Sequence, residues 1–348
     1  MDRRDFLHPR RIARAAGRVL GALESLDPLG ALTAVPAAAP RETALLRLSR
    51  RAMATAFEIV LPFGGDAAMT HGEAAFDLID DLESQLTVYR ENSEVSRLNR
   101  TAFAAPVPVE DGLFRLLEVA ARISAETDGA FDVTAGALIK AWGFFRGPRR
   151  VPSDAERSAA LTRVGIQGME LDAARRTVRF RRPGLEINLG SIGKGYALDR
   201  VGDFLSATGK FPAVLLHGGG SSVYAKGSSD GDPRGWLVGI SHPWNGASRL
   251  AEVWLRDRAL GTSAATFQHL EYNGKKLGHV LDPRTGWPAA GVASASVVAP
   301  TGAEADALST AFYVGGVELA RRTCAAHAEI GAILLPEGDD AELVVLNL

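Results

Sequence analysis

The stretch LEINLGSIGKGYALDRVGDFLSATGKFPAVLLH, residues 185–217, sets two apolar runs on either side of a glycine-rich turn and an amphipathic segment. Residues 185–189 read as a strand, 194–209 as a helix and 211–217 as a second strand, because the apolar spacing switches between the strand and helix periods. In a doubly wound sheet that beat would recur, and here it does not. WLVGI (236–240), LAEVWLR (250–256) and VASASVVA (292–299) follow as short β-like runs. ADALSTAFYVGG (305–316) and VELARRTCAAH (317–327) read as two helices, and IGAILL (330–335) and ELVVLNL (342–348) close the chain as strands. Upstream, TAFEIVL (55–61) reads as a strand. Ala75, Phe76, Ile79, Leu82 and Leu86 recur at helical spacing, and a second helix is expected from Asp111 to about Thr127. Ser153-Asp-Ala-Glu156 is a capping-box signature for a third. Residues 177–182 alternate after a turn at 172–175, as a hairpin strand does. Helices interspersed with hairpin-like strand pairs predict an α+β body.

Composition narrows the function classes. Of the 348 residues 46% are apolar and 23% charged, as in a globular protein with a substantial core. The net charge of -2, without aromatic–basic interleaving, argues against a nucleic-acid partner. A single cysteine, Cys324, excludes an internal disulfide and thiolate metal clusters; its helical neighbours mark it as a small buried apolar residue. Residues 1–45 are Ala/Arg/Pro-biased and are expected to lie outside the body formed by 46–348. Arg3-Arg4 followed by Phe6-Leu7 resembles a twin-arginine export signal. Arg10, Arg11, Arg14, Arg18, Glu24 and Asp27 interrupt the apolar region such a signal needs, so a flexible linker stands beside that reading. No stretch approaches the roughly 20 apolar residues of a membrane span.

Several stretches carry candidate chemistry. In NLGSIGKGYALD (188–199), Gly190, Gly193 and Gly195 let backbone approach a ligand at a helix start, with Lys194 adding a positive charge. A phosphate-binding turn and a tight strand–helix connection are both consistent with it, and it is neither a P-loop nor a dinucleotide fingerprint. In ADALSTAF (305–312), Asp306 and Thr310 share a helix face. That suits a hard cation, or else an aspartate favouring the helix dipole with Thr310 exposed. TDGAFDVTAGALIKAWGFFRG (127–147) puts Asp132 beside Phe131, with Trp142, Phe144 and Phe145 following, either as core or around a flat heterocycle. SQLTVYRENSEVSRLN (84–99) reads as a polar loop in which Tyr89 could stack on a ring. HVLDPRTGWP (279–288) crowds an imidazole, a carboxylate, a guanidinium and a hydroxyl into one bend. The glycines of LHGGGSS (216–222, with Ser221 and Ser222 last) suit a β-turn or close backbone approach, and His217, His242, His269 and His327 fit no metal-ligand spacing.

With these stretches in this order, the chain from about Met53 to about Gly316 resembles the ApbE family, the FAD:protein FMN transferases. The resemblance implies an α+β, T-fold-like body with its active site in a cleft between two halves. It implies FAD as substrate, Mg²⁺ as cofactor, and transfer of FMN to a Thr or Ser hydroxyl of another protein, with AMP leaving. Met53, Tyr89, Ala130, Phe131 and Asp132 would line the flavin, and Asn188, Lys194 and Leu281 would complete the cofactor contacts. Asp306, Thr310 and Ser191 would hold the metal, with Ser309 nearby. His279 would serve as base or hydrogen-bond partner at the phosphorus, with Asp282, Arg284 and Thr285 bracing its bend. Asn188 stands where the family often has Asp, and Ala264 of GTSA where Gly is usual, narrowing a turn. Gly278 precedes the loop's His where another His or polar group is usual. These departures point to weaker metal binding or slower transfer, so an FAD pyrophosphatase and a non-catalytic FAD carrier stand as alternatives. The family's acceptor sites resemble Asp-Gly-x-x-Ser/Thr. Here Asp111-Gly112, Asp128-Gly129 and Asp230-Gly231 lead to Arg115, Asp132 and Arg234, so the acceptor is expected to be another polypeptide. Family members commonly work on the outer face of the cytoplasmic membrane, which tilts the expectation toward export.

Overall fold

The computed structural model describes residues 44–348 except 64–65, 147, 265–268, 273 and 339. The expected N-terminal extension therefore lies outside the described residues, save its last two. From there the chain runs β1 (Leu45–Ala52), β2 (Thr55–Pro62), α1 (Asp66–Leu86), α2 (Glu94–Thr101), β3 (Val107–Pro108) and α3 (Asp111–Glu126). Next come α4 (Gly136–Ala141), α5 (Asp154–Leu161), β4 (Met169–Asp172), β5 (Thr177–Phe180), α6 (Gly193–Ala207), β6 (Val214–Gly218) and β7 (Ser222–Lys226). The last part holds β8 (Trp236–His242), β9 (Asn245–Leu255), β10 (Arg258–Ala264), β11 (His269–Tyr272) and β12 (Lys275–Gly278). It closes with β13 (Val292–Ala299), α7 (Gly302–Ala326), β14 (Gly331–Pro336) and β15 (Val344–Leu346).

An eight-stranded sheet ordered β1-β2-β6-β7-β10-β13-β14-β15 is the frame, and each of its neighbouring pairs is antiparallel. Its two faces are covered differently. Phe57, Ile59, Leu61, Leu216, Ala295 and Val297 share a core with α1, α3, α6 and α7. Val60, Val223, Leu260, Val298 and Ile333 pack instead with Trp236, Val238, Ile240, Val253 and Leu255 of the β8–β9 hairpin. Strand β13 is therefore buried at every position, which is why VASASVVA shows small and apolar residues without a polar alternation. The mixed α+β body agrees with the reading from sequence.

Helix α1 buries Ala75, Phe76, Ile79, Leu82 and Leu86, the stripe visible in its sequence. Helix α5 carries the complete capping box, Ser153 accepting from the Glu156 N–H while Glu156 accepts from that of Ser153. Two segments differ from expectation. Residues 185–189 form no ladder strand: the Asn188 N–H bonds the Val133 carbonyl, that of Ile187 the Asn99 side chain, and the Glu186 carbonyl accepts from Gly136. The segment is extended, but loop and side-chain groups take the hydrogen bonds a neighbouring strand would have supplied. The two late helices, by contrast, divide as expected: α7 is kinked at Gly316, where φ is 78° and the backbone is not helical. The polar loop after Tyr89 contains α2, capped by Ser93, whose hydroxyl accepts from the Ser96 N–H at 3.0 Å.

Candidate functional site

A cleft of about 450 Å³ draws its walls from segments far apart in sequence. Tyr89, residues 130–132, Asn188, Gly190, Ser191, Lys194, Ser221, residues 262–264, residues 279–281, Asp306, Ser309 and Thr310 all line it. Met53 is not among its lining residues. It sits in the β1–β2 turn at φ 48°, its N–H donating to Glu83 at 2.8 Å.

The floor is built where α6 meets α7. Asp306 is only 5% exposed, so it is neither a surface helix-dipole residue nor idle. Its Oδ2 accepts the Gly195 N–H at 2.7 Å and its Oδ1 the Ser222 hydroxyl at 2.7 Å. Burial raises its pKa, opposed by the charge of Lys194 and by these two donors. The glycine-rich turn and the late aspartate are thus joined directly. Glycine is required there, because a Cβ on Gly195 would stand 1.9 Å from the Gly302 carbonyl oxygen.

Around the carboxylate lies a group of hydroxyls. Ser263 on β10 bonds Ser309 at 3.0 Å and Thr310 at 3.2 Å, and the Thr310 hydroxyl also donates to the Asp306 carbonyl at 3.2 Å. Strand β10 comes this close because Gly261 faces the Ala305 backbone, where a Cβ would approach to 2.4 Å. Ala264 belongs to β10, opposite Ser294, so it stands in a ladder and not in the turn expected for GTSA. The Asn188 Oδ1 accepts the Gly190 N–H at 2.9 Å, closing the turn before Ser191. Among the described residues no group of three or more His, Cys, Asp or Glu side chains is placed to hold a metal. One buried carboxylate with neighbouring hydroxyls fits Mg²⁺, which is commonly bound through one or two carboxylates and completed by water and substrate phosphates.

His279 and the start of the bend after it also line the cleft. Arg284 donates to Asp282 from its N–H, Nε and Nη2, each at 2.9 Å, and the Gly286 N–H bonds the Asp282 carbonyl at 2.8 Å. Trp142, fully buried, donates its indole N–H to the Gly286 carbonyl at 2.9 Å. Leu281 packs with Leu138 and Trp142 in a separate small core. The bend that crowded four polar side chains is thus a braced platform on α4, and the guanidinium and carboxylate in it are spent on each other.

The residues expected to line a flavin divide by what they can offer. Ala130 and Phe131 are buried, at 0% and 1% exposure. Asp132 is held by Thr134 at 2.7 and 2.8 Å and by the Ile166 N–H at 2.9 Å, which leaves little of its carboxylate for a ligand. Burial raises its pKa against those three bonds. Tyr89 is half exposed and stacks on Phe145 with centroids 4.9 Å apart, an aromatic plate at the cleft's edge. A second depression of about 250 Å³ adjoins there, sharing Tyr89 and Asn188 and lined also by Arg100, Lys140 and Arg146. Sequence reasoning gave no role to Ser222 or Ser263. The first closes LHGGGSS and the second sits in GTSA, stretches whose local signal is their glycine or alanine.

Fold and sequence together place the chain among the flavin transferases. The structure superposes on the ApbE protein of Thermotoga maritima with a TM-score of 0.79 at 28% identity, over 87% of this chain and 97% of that one. It superposes on the flavin transferase ApbE of Vibrio cholerae with a TM-score of 0.77 at 27% identity and the same coverage. The chain belongs to the ApbE family, whose model matches residues 53–334. Similar proteins include a FAD:protein FMN transferase of Treponema pallidum, 34% identical over 77% of each chain. Another, from Klebsiella pneumoniae, is 30% identical over 92% of each.

Proposed function

We propose that the chain transfers FMN from FAD to a Ser or Thr hydroxyl of an acceptor protein, with Mg²⁺ required and AMP released. The observation that carries this reading is the fastening of Asp306 to the glycine-rich start of α6, in a cleft that also holds Lys194, Thr310 and His279. A helix start lined by glycines, with a lysine beside it, suits an anion such as a diphosphate. Asp306, Thr310 and Ser191 would hold the metal, which when bound neutralises charge on the phosphate oxygens.

The chain's own groups then have distinct tasks. Lys194 stabilises negative charge as the diphosphate bond opens. The acceptor oxygen bonds to the flavin-side phosphorus, the bridging oxygen departs with AMP, and the hydroxyl proton passes to the His279 imidazole. The braced 282–286 bend limits the motion of His279. Tyr89, half exposed beside Phe145, offers a face on which a flat ring can stack. Asn188 uses its carbonyl oxygen for the turn, a task Asp would do equally.

The test is incubation with FAD, Mg²⁺ and an acceptor domain bearing an Asp-Gly-x-x-Ser/Thr site, following acceptor mass and free AMP. Acceptor gaining FMN with stoichiometric AMP is the expected result. AMP without a mass gain would make the chain a pyrophosphatase, and FAD binding with neither product would make it a carrier.

A further inference from the structure

The starts of α6 and α7 meet glycine against glycine, since a Cβ on Gly302 would stand 2.4 Å from the Gly195 carbonyl oxygen. At this contact the two helices exchange caps. Asp306, one turn beyond Gly302 on α7, accepts the Gly195 N–H of α6. Asp199, one turn beyond Gly195 on α6, accepts the N–H groups of Gly302 at 2.5 Å and Ala303 at 2.9 Å on α7. The helices supply little of this for themselves. Ile192 at the start of α6 makes no side-chain cap, and the Thr301 hydroxyl at the start of α7 accepts from the Glu304 N–H alone among the helix amides, while donating to the Glu304 carboxylate. Each helix start would otherwise hold backbone donors without partners in a buried place. Of the two carboxylates Asp306 lines the cleft and Asp199 does not.

We infer that Asp199 is a positioning residue for the transfer reaction: with Asp306 it clasps the start of α6 to the start of α7. The clasp fixes the gap between the Lys194 turn and the Asp306–Thr310 face. The inference rests on the proposed function, in which that gap receives the diphosphate and its metal. Mg²⁺ tolerates little departure from near-ideal octahedral geometry, at about 2.0–2.1 Å. Loss of Asp199 strands two N–H groups at the start of α7 and leaves Asp306 to hold the contact alone. The helix carrying Asp306 and Thr310 then shifts relative to the one carrying Lys194, while the flavin-side wall at Tyr89 is untouched.

Asp199→Asn keeps the shape but turns an amide N–H toward one of the two backbone donors, and Asp199→Ala removes the acceptor. In the full chain, Mn²⁺ binding with FAD present is read from the free-ion EPR signal, and FAD binding without metal from flavin fluorescence. Both variants are expected to weaken Mn²⁺ binding by about 10-fold or more, the usual effect of losing a group that orients a ligand, with metal-free FAD affinity unchanged. Thr301→Ala is the structural control. It removes a cap from the same helix start without touching the clasp, and should lower the melting temperature while leaving Mn²⁺ affinity as in wild type. If Asp199→Ala does not fold, the near-isosteric Asn variant carries the comparison. Wild-type Mn²⁺ affinity in Asp199→Asn, or equal weakening in Thr301→Ala, overturns the clasp. A wild-type chain that binds no Mn²⁺ with FAD overturns instead the reading beneath it.

Discussion

Replacing Gly195 by Ala sets two effects of opposite sign against each other. In an exposed helix, Gly to Ala stabilises by about 1 kcal/mol through backbone entropy. Here the new Cβ would lie 1.9 Å from the Gly302 oxygen, 2.2 Å from the Gly302 carbon and 2.9 Å from the Ala303 nitrogen. All three are backbone atoms, so no rotamer change relieves the clash and α6 and α7 must separate. Overpacking of this kind costs about 1–3 kcal/mol. The separation also stretches the 2.7 Å bond from Gly195 to the Asp306 carboxylate, a charged hydrogen bond of a type worth about 1.5–3 kcal/mol. The net expectation is destabilisation by about 2–4 kcal/mol. In a body this large that is a fall in melting temperature of about 4–8 °C. Calorimetry and urea unfolding measure it directly, with the midpoint shifting at constant slope. FAD-dependent AMP release should drop in the same variant by more than about 10-fold, since the bond being stretched orients a proposed metal ligand. A Gly195→Ala variant as stable and active as wild type would refute the close packing on which the site's geometry depends.

Asp306→Asn keeps the shape of the side chain and removes its charge, so Mg²⁺-dependent AMP release should fall by about 100-fold while FAD still binds; full turnover would contradict the metal assignment. Trp142→Phe leaves the Gly286 carbonyl without its indole partner, at a cost of about 1–3 kcal/mol. Hydrogen exchange over 279–288 should quicken in that variant, and unchanged protection would show that the bend needs no such brace. Burial, with the fields of Asp306 and Asp203, pushes the Asp199 carboxyl up to about 7 despite its two backbone bonds. A carboxyl raised in the folded state contributes stability that is complete below its unfolded pKa and is lost as pH rises through the folded value. The stability of wild type relative to Asp199→Asn should therefore decline between about pH 4 and pH 7. Tyr224 and Tyr196 also feel the Asp199 charge but titrate well above that window. A difference independent of pH would contradict the raised value.

What the sequence could reveal depended on whether a residue's partner is local. The α1 stripe, the Ser153 capping box and the β4–β5 hairpin are set by neighbours a few positions away, and the structure repeats them. Residues 185–189 looked like a strand because their apolar spacing is strand-like; whether a neighbour would pair with them was decided by Val133 and Asn99, far off in the chain. The α+β class followed from the missing βαβ beat, but the second layer over the sheet did not. The β8–β9 hairpin alternates like any half-buried strand pair, and nothing local says what its inner face covers. At the site, NLGSIGKGYALD and ADALSTAF were each ambiguous alone. Their bond, Gly195 to Asp306, spans 111 positions and no periodicity records it. Ser222 and Asp199 escaped notice for the same reason: each acts through a partner on another element, across 84 and 103 positions.

In the proposed reaction the Lys194 turn and the Asp306–Thr310 face grip the diphosphate of FAD through a divalent ion. Anomalous diffraction from crystals soaked with FAD and Mn²⁺ shows where that ion sits. The expected result is a metal peak bonded to an Asp306 oxygen at about 2.1 Å and to phosphate oxygens. A diphosphate bound elsewhere in the cleft, or a metal without a bond to Asp306, would refute this grip.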